Sequence, residues 1–179
     1  NSAISNAQKF AQKDDAFVDA FVTIFKQTYS EKNLDLDALN SMKISLKLSV
    51  EFSGDIKTAV KDFDELVEFC KDRKEMDLPL PQCAQLATRI TRLGQKYEKQ
   101  IAPSFIKLVK FLEESSKGPQ RPKSDVIKIA EKVMKNGPIA ADNFIYAYRY
   151  ATKEKGLGMN DEQAINFGTK MAERSFKVK

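Results

Sequence analysis

The chain has 179 residues, of which 42% are hydrophobic and 31% charged, enough apolar material for one sizeable core and a length that fits a single domain over residues 1–179. It contains no histidine and only two cysteines, which excludes serine or cysteine nucleophiles activated by histidine, zinc sites of the histidine-bearing kinds and the four-cysteine site. The net charge of +5 is unevenly spread: residues 1–80 hold 11 Lys and Arg against 15 Asp and Glu, whereas residues 81–179 hold 19 against 10.

The first residue is Asn1 rather than methionine, from which the expectation is a removed leader or a trimmed chain. Residues 4–29 keep helical spacing through Ile4, Ala7, Phe10, Phe17, Phe21, Ile24 and Tyr29. Residues 30–37 read as a polar link. Its Asn33–Asp37 run lacks the glycine and glutamate of a calcium loop, so Asp35 or Asp37 is expected to cap the helix that follows.

Residues 38–53 admit two readings. Met42, Ile44, Leu46, Leu48, Val50 and Phe52 alternate as in a half-buried strand, while Ser41, Ser45, Ser49 and Ser53 recur at every fourth position. A strand needs a partner to satisfy its backbone, and the chain has no second alternating run of comparable length. On a helix the same residues make two apolar strips with serines between them and a thin stripe of Lys43, Lys47 and Glu51. The stretch is therefore expected to be a central, largely buried helix whose serines permit close approach of a neighbour. The alternative is a serine-lined wall of a small polar cavity.

Gly54 offers a break, and a helix from Asp55 to Lys74 follows, with Ala59, Phe63, Leu66, Val67 and Cys70 on its apolar face. The prolines of residues 78–81 end it. The next helix begins near Gln82 and runs towards Ile101, and Pro103 either kinks it or starts another through Leu112. After a basic, proline-bearing loop over 117–122, Ser124 is expected to cap a helix over 125–136. Gly137–Pro138 then stops that helix and starts the next, over Ile139–Lys155. Asn160 and Gln163 have the spacing of a capping box for the last helix. The sum is an all-α, single-domain bundle of seven or eight helices. No run has the length of a transmembrane helix, which implies a soluble or peripheral chain.

Cys70 and Cys83 fall on the apolar faces of consecutive helices, on either side of the proline-bearing turn. Their placement predicts a disulfide and hence an oxidising compartment, periplasmic or extracellular. The paired carboxylates Asp64–Glu65 and Glu113–Glu114 project differently from their helices and read as solvated surface rather than acid–base machinery. No metal site, cofactor or enzymatic activity is expected.

Function is expected on the helix over Ile139–Lys155. Ala140, Phe144, Ala147, Tyr148 and Ala151 share its inner side, whereas Tyr146, Arg149, Tyr150 and Lys153 share the outer one. Tyrosine and arginine are the residue types that dominate interface hot spots. The expected role is thus capture of a protein or an anionic envelope component on this basic and aromatic face. Nucleic acid is a poorer fit, because the cations are spread over several helices and no nucleic-acid motif is present. The alternative function is carriage of a small amphipathic ligand in a cavity beside the serine stripe.

Overall fold

A computed structural model describes residues 15–30, 34–50, 56–72, 74–97, 99–115 and 121–174. These residues form eight helices and no strand: α1 (Asp15–Tyr29), α2 (Ala38–Val50), α3 (Ile56–Lys71), α4 (Leu80–Gln95), α5 (Ala102–Glu114), α6 (Lys123–Met134), α7 (Ile139–Thr152) and α8 (Asp161–Arg174). The fold is an all-α helical bundle, as the hydrophobic periodicity implies. Residues 4–14 and 51–53, expected to be helical, and most of the loop over 117–122 lie outside the described residues. The chain divides into two compact units, residues 1–91 and 92–179.

In the first unit α1 packs along α2 and more lightly against α3. The link between α1 and α2 turns tightly. Leu36 N donates to Thr28 O at 2.8 Å and Asp35 takes a left-handed φ of 45°, a conformation that aspartate tolerates better than most residues. Leu34 and Leu36 are buried by this turn. Asp37 then caps α2, accepting from Asn40 N at 2.9 Å and from its side-chain amide at 2.5 Å. The Asn40 N–H so placed holds the Asp37 carboxyl below its usual range.

The stretch over 38–50 is a helix. Its buried strip consists of Ser41, Ser45, Leu48 and Ser49, with Met42, Ile44 and Leu46 half-buried beside it and Lys43 and Lys47 exposed. Serine is small enough to let α1 come close. Each hydroxyl also finds an acceptor on its own chain: Ser41 Oγ donates to Leu36 O at 3.4 Å, Ser45 Oγ to Ser41 O at 2.7 Å, and Ser49 Oγ to Ser45 O. Hydroxyls bonded back to the preceding turn are satisfied without a partner helix or a cavity. Ser45→Ala is accordingly expected to leave stability within about 0.5 kcal/mol, whereas Ser45→Leu overfills the α1–α2 contact and costs about 1–3 kcal/mol. Urea titrations of the two variants measure the difference.

The disulfide expected between Cys70 and Cys83 is absent. Both residues are fully buried free thiols. The reason lies in how the turn is bonded. Leu78 N donates to Cys70 O at 3.1 Å, and the Cys83 thiol reaches back to Leu78 O at 3.4 Å. The two thiols are neighbours without a covalent bond. The neighbouring Cys83 and burial together push the Cys70 thiol above its ordinary range. The helix after this turn starts at Leu80 rather than Gln82. Pro79 O accepts from Gln82 N at 2.8 Å and Cys83 N at 3.0 Å, and Pro81 sits in the first turn, where a missing N–H costs nothing.

In the second unit α7 packs most extensively on α8, and α5 and α6 complete a four-helix arrangement. Its core holds Phe105, Leu108, Leu112, Val126, Val133, Phe144 and Tyr148. Pro103 lies at the start of α5, so it begins a helix rather than kinking one. The start of α6 departs from expectation: Pro122, not Ser124, holds the cap position, and Ser124 lies within the helix. Gly137, at φ 92°, ends α6 with its N–H on Met134 O at 3.0 Å, and Pro138 starts α7. Asn160 and Gln163 form a reciprocal capping box: Gln163 N donates to Asn160 Oδ1 at 2.9 Å and Asn160 N to Gln163 Oε1 at 3.1 Å.

Candidate binding face on helix α7

Helix α7 is amphipathic in the way its sequence implies. Ala140, Ala141, Phe144, Ile145, Ala147, Tyr148 and Ala151 are buried. Tyr146, Arg149, Tyr150 and Lys153 are all exposed, Tyr146 at 76% of its possible surface. Tyr146 and Tyr150 are one turn apart and therefore neighbours on the helix surface.

Two of the four residues are held differently from a simple helical stripe. Lys153 is the C-cap of α7 and has extended backbone, ψ 142°, so it lies just beyond the helix that was expected to reach Lys155. Gly156 is the cause. A Cβ there would sit 2.0 Å from Tyr150 O, a contact that only glycine can make. The chain closes over the end of α7 through Leu157 N on Tyr150 O at 3.4 Å and Met159 N on Ala151 O at 2.9 Å. Arg149 is the second case. Its guanidinium lies 5.3 Å from the centre of the Phe111 ring, a cation–π contact that draws the head group towards α5.

Ile139 extends the face at its start, exposed at 59%, and Leu157, in the turn that closes over the end of α7, is exposed at 45%. Ile139 is two turns before Tyr146, on the same strip, and Leu157 is bonded to the turn that carries Tyr150. Sequence reasoning missed both, although the seven-residue spacing of Ile139 and Tyr146 was a readable signal. Leu157 was not readable, because its placement depends on the loop. Ile139, Tyr146 and Tyr150 thus form an exposed apolar and aromatic strip, with Arg149 exposed on the same helix and Lys153 at its C-cap. On one side Lys107 Nζ pairs with Asp142 Oδ1 at 2.6 Å, and both partners are exposed, so this pair contributes little to stability.

Behind the face, the inner side of α7 is pinned by a polar cluster. Arg121 donates through Nε to Asp161 Oδ2 at 3.1 Å, through Nη2 to Asp161 Oδ1 and to the Tyr148 hydroxyl at 3.3 Å, and through Nη1 to Leu112 O. The Tyr148 hydroxyl in turn donates to Asp161 Oδ1, with Ser115 O at 3.2 Å as its other acceptor. Burial alone would push the Asp161 carboxyl up, but the bonds from Arg121 and Tyr148 outweigh it and leave the group below the ordinary carboxylate range. Burial, helped by the carboxylate, pushes the Tyr148 phenol up. The cluster ties α5, α7 and α8 to one arginine and fixes the azimuth at which α7 shows its tyrosines.

Rings, hydroxyls and guanidinium donors on a convex helix surface are binding chemistry. Among the described residues no three Asp, Glu or Cys side chains converge as a metal ion requires, and no helix is long and apolar enough to cross a membrane. Compared with known proteins, the chain matches no family model, no curated protein and no solved structure.

Proposed function

We propose that this chain is a non-enzymatic binding domain that captures an acidic protein partner on the outer face of α7. The observation that carries the reading is the exposure of Tyr146 at 76%, with Ile139 and Tyr150 exposed beside it on the same helical strip. Exposed large apolar groups in a contiguous line are unusual on a surface that meets only water. Tyrosine and arginine side by side are the chemistry of hot spots. Charge gives the sign of the partner. Residues 92–179 hold 18 Lys and Arg against 10 Asp and Glu, so an acidic surface is attracted and a basic one repelled. The free thiols remove the ground for an oxidising compartment, and the reading does not depend on one.

Tyr146→Ala with Tyr150→Ala tests this. Both side chains project into solvent, so unfolding is expected to shift by no more than about 0.5 kcal/mol. Retention of the partner from an extract of the protein's own source is expected to fall by about tenfold or more, which corresponds to the loss of one hot-spot contact. Retention by the parent protein should also weaken as salt rises through about 0.15–0.5 M. Unchanged retention by the double variant would remove α7 from the reading. Arg149→Ala is a less clean probe, because it also gives up about 0.5–1 kcal/mol of contact with Phe111.

A further inference from the structure

Helix α1 is apolar on two sides. Phe17, Ala20, Ile24 and Thr28 are buried within the first unit. About a third of a turn round the helix stand Val18, Val22, Phe25 and Tyr29. Val18 and Val22 are each 38% exposed and Tyr29 51%, with Phe25 half-buried among them. The Phe25 and Tyr29 rings stack at 5.3 Å, which makes this second side a continuous, ordered apolar surface. A helix that is apolar on a second side calls for a second neighbour.

The spacing gives the kind of neighbour. From Val18 the steps are four, three and four residues, the interval of a seam along which two helices pair. Charge gives its identity. Asp19 and Lys26 are seven residues apart and so flank the seam on one edge. Both are exposed, and neither makes an ion pair among the described residues. In a second α1 laid antiparallel on the first, about a two-fold axis close to Val22, Asp19 of each copy falls opposite Lys26 of the other. The surface is thus complementary to itself. Asp15 continues the seam at its N-terminal end. A parallel pair would set Asp15 against its own copy, whereas the antiparallel pair keeps these charges at opposite ends and opposes the helix dipoles.

We propose that α1 is a self-association helix, on which two copies of the chain pair antiparallel through Val18, Val22, Phe25 and Tyr29, with Asp19–Lys26 contacts along one edge. The interface is isologous, so each copy covers the same surface on the other and assembly stops at two. One helix of 15 residues per copy, about 22 Å long, makes a contact below the size of standard interfaces, so the dimer is weak and reversible. Nothing in this pairing rests on the α7 face.

Sedimentation equilibrium of the full chain tests it, at concentrations from about 5 µM to 1 mM and about 0.05 M salt. The parent is expected to pass reversibly from monomer to dimer within that range and no further. Val22→Glu puts two carboxylates on the two-fold axis and is expected to stay monomeric throughout. Because Val22 is exposed, its melting temperature should match that of the dilute parent. Lys26→Asp and Asp19→Lys each replace two attractions by two repulsions and should weaken the dimer by about fivefold or more. The double substitution Asp19→Lys with Lys26→Asp restores both pairs and should return the affinity to within about threefold of the parent's. A parent that stays monomeric would overturn the proposal and leave this side of α1 to a different protein. So would growth beyond the dimer, a dimer indifferent to Val22→Glu, or a double substitution as weak as the single ones.

Discussion

Replacing Gly168 by alanine is expected to destabilise the second unit, although the same change in a helix usually stabilises. Alanine gains about 1 kcal/mol over glycine from helix propensity alone. Gly168 lies in α8, however, where α7 comes closest. A Cβ at this position would be 2.9 Å from Phe144 Cδ2, 3.0 Å from Cε2 and 3.2 Å from Phe144 O. The Phe144 ring is completely buried, so it has nowhere to turn, and the backbone oxygen cannot move without moving α7. Overpacking of this kind costs about 1–3 kcal/mol. The steric effect should win, with a net loss of up to about 2 kcal/mol and a melting temperature lower by up to about 16 °C for a unit of this size. Gly168→Leu should be worse. Phe144→Leu opens space under the glycine, so the pair Phe144→Leu with Gly168→Ala should be more stable than the sum of the two single losses. A double-mutant cycle in urea measures that coupling, and strict additivity would show that the contact is not what excludes a side chain at 168.

Arg121→Met is the second large effect. The substitution keeps the bulk of a side chain that is only 9% exposed and removes every donor. Leu112 O, Tyr148 and Asp161 each lose a partner at once. Breaking a fully buried ion pair costs about 3–5 kcal/mol, but Asp161 is 36% exposed and can turn its charge to water. The expected loss is therefore about 2–3 kcal/mol. The pH dependence identifies the cause. Asp161 titrates lower in the folded chain than its unfolded value of about 3.9, so its contribution is fully present above that value and is lost as pH falls through the folded one. Tyr148 titrates higher than its unfolded value of about 10, so its contribution is present below that value and is lost as pH rises through the folded one. Stability of the parent should fall at both edges. Arg121→Met should flatten the acid edge and Tyr148→Phe the alkaline one. Thermal melts across the pH range would reveal an Arg121→Met curve parallel to the parent's if the arginine only filled space.

Much of the fold was legible because its signals are local. Gly137–Pro138 and the Asn160–Gln163 box act within four residues, and the structure bears out both. Asp37 is one of the two caps the sequence offered for α2, and competition from Asp35 ended when that residue took the left-handed turn. The period-two pattern over 42–52 was ambiguous by itself. Its resolution as helix came from the lack of a strand to pair with, which only the whole chain could supply.

What the sequence hid depends on contacts between distant residues. Arg121 sits in a stretch that reads as an exposed basic loop, yet its carboxylate partner is 40 residues away and its tyrosine partner 27. Cys70 and Cys83 read as a disulfide from their faces alone. The course of the turn through Leu78 gives the Cys83 thiol another acceptor, and no face pattern encodes that. On α7, the outer residues Tyr146, Arg149 and Tyr150 followed from helical angle. Lys153 departs from the helix because Gly156 lets the chain cross over Tyr150 O.

The most direct test of the central claim is site-specific cross-linking in the protein's own source, with a photoreactive phenylalanine analogue in place of Tyr146 or, as control, of the exposed Glu162 on α8. Position 146 is expected to yield one discrete adduct with an acidic protein, and position 162 none. Arg149→Glu with Lys153→Glu should abolish the adduct. Adducts of the same kind from both positions, no protein adduct from position 146, or an adduct indifferent to the charge reversal would contradict a binding function for the α7 face.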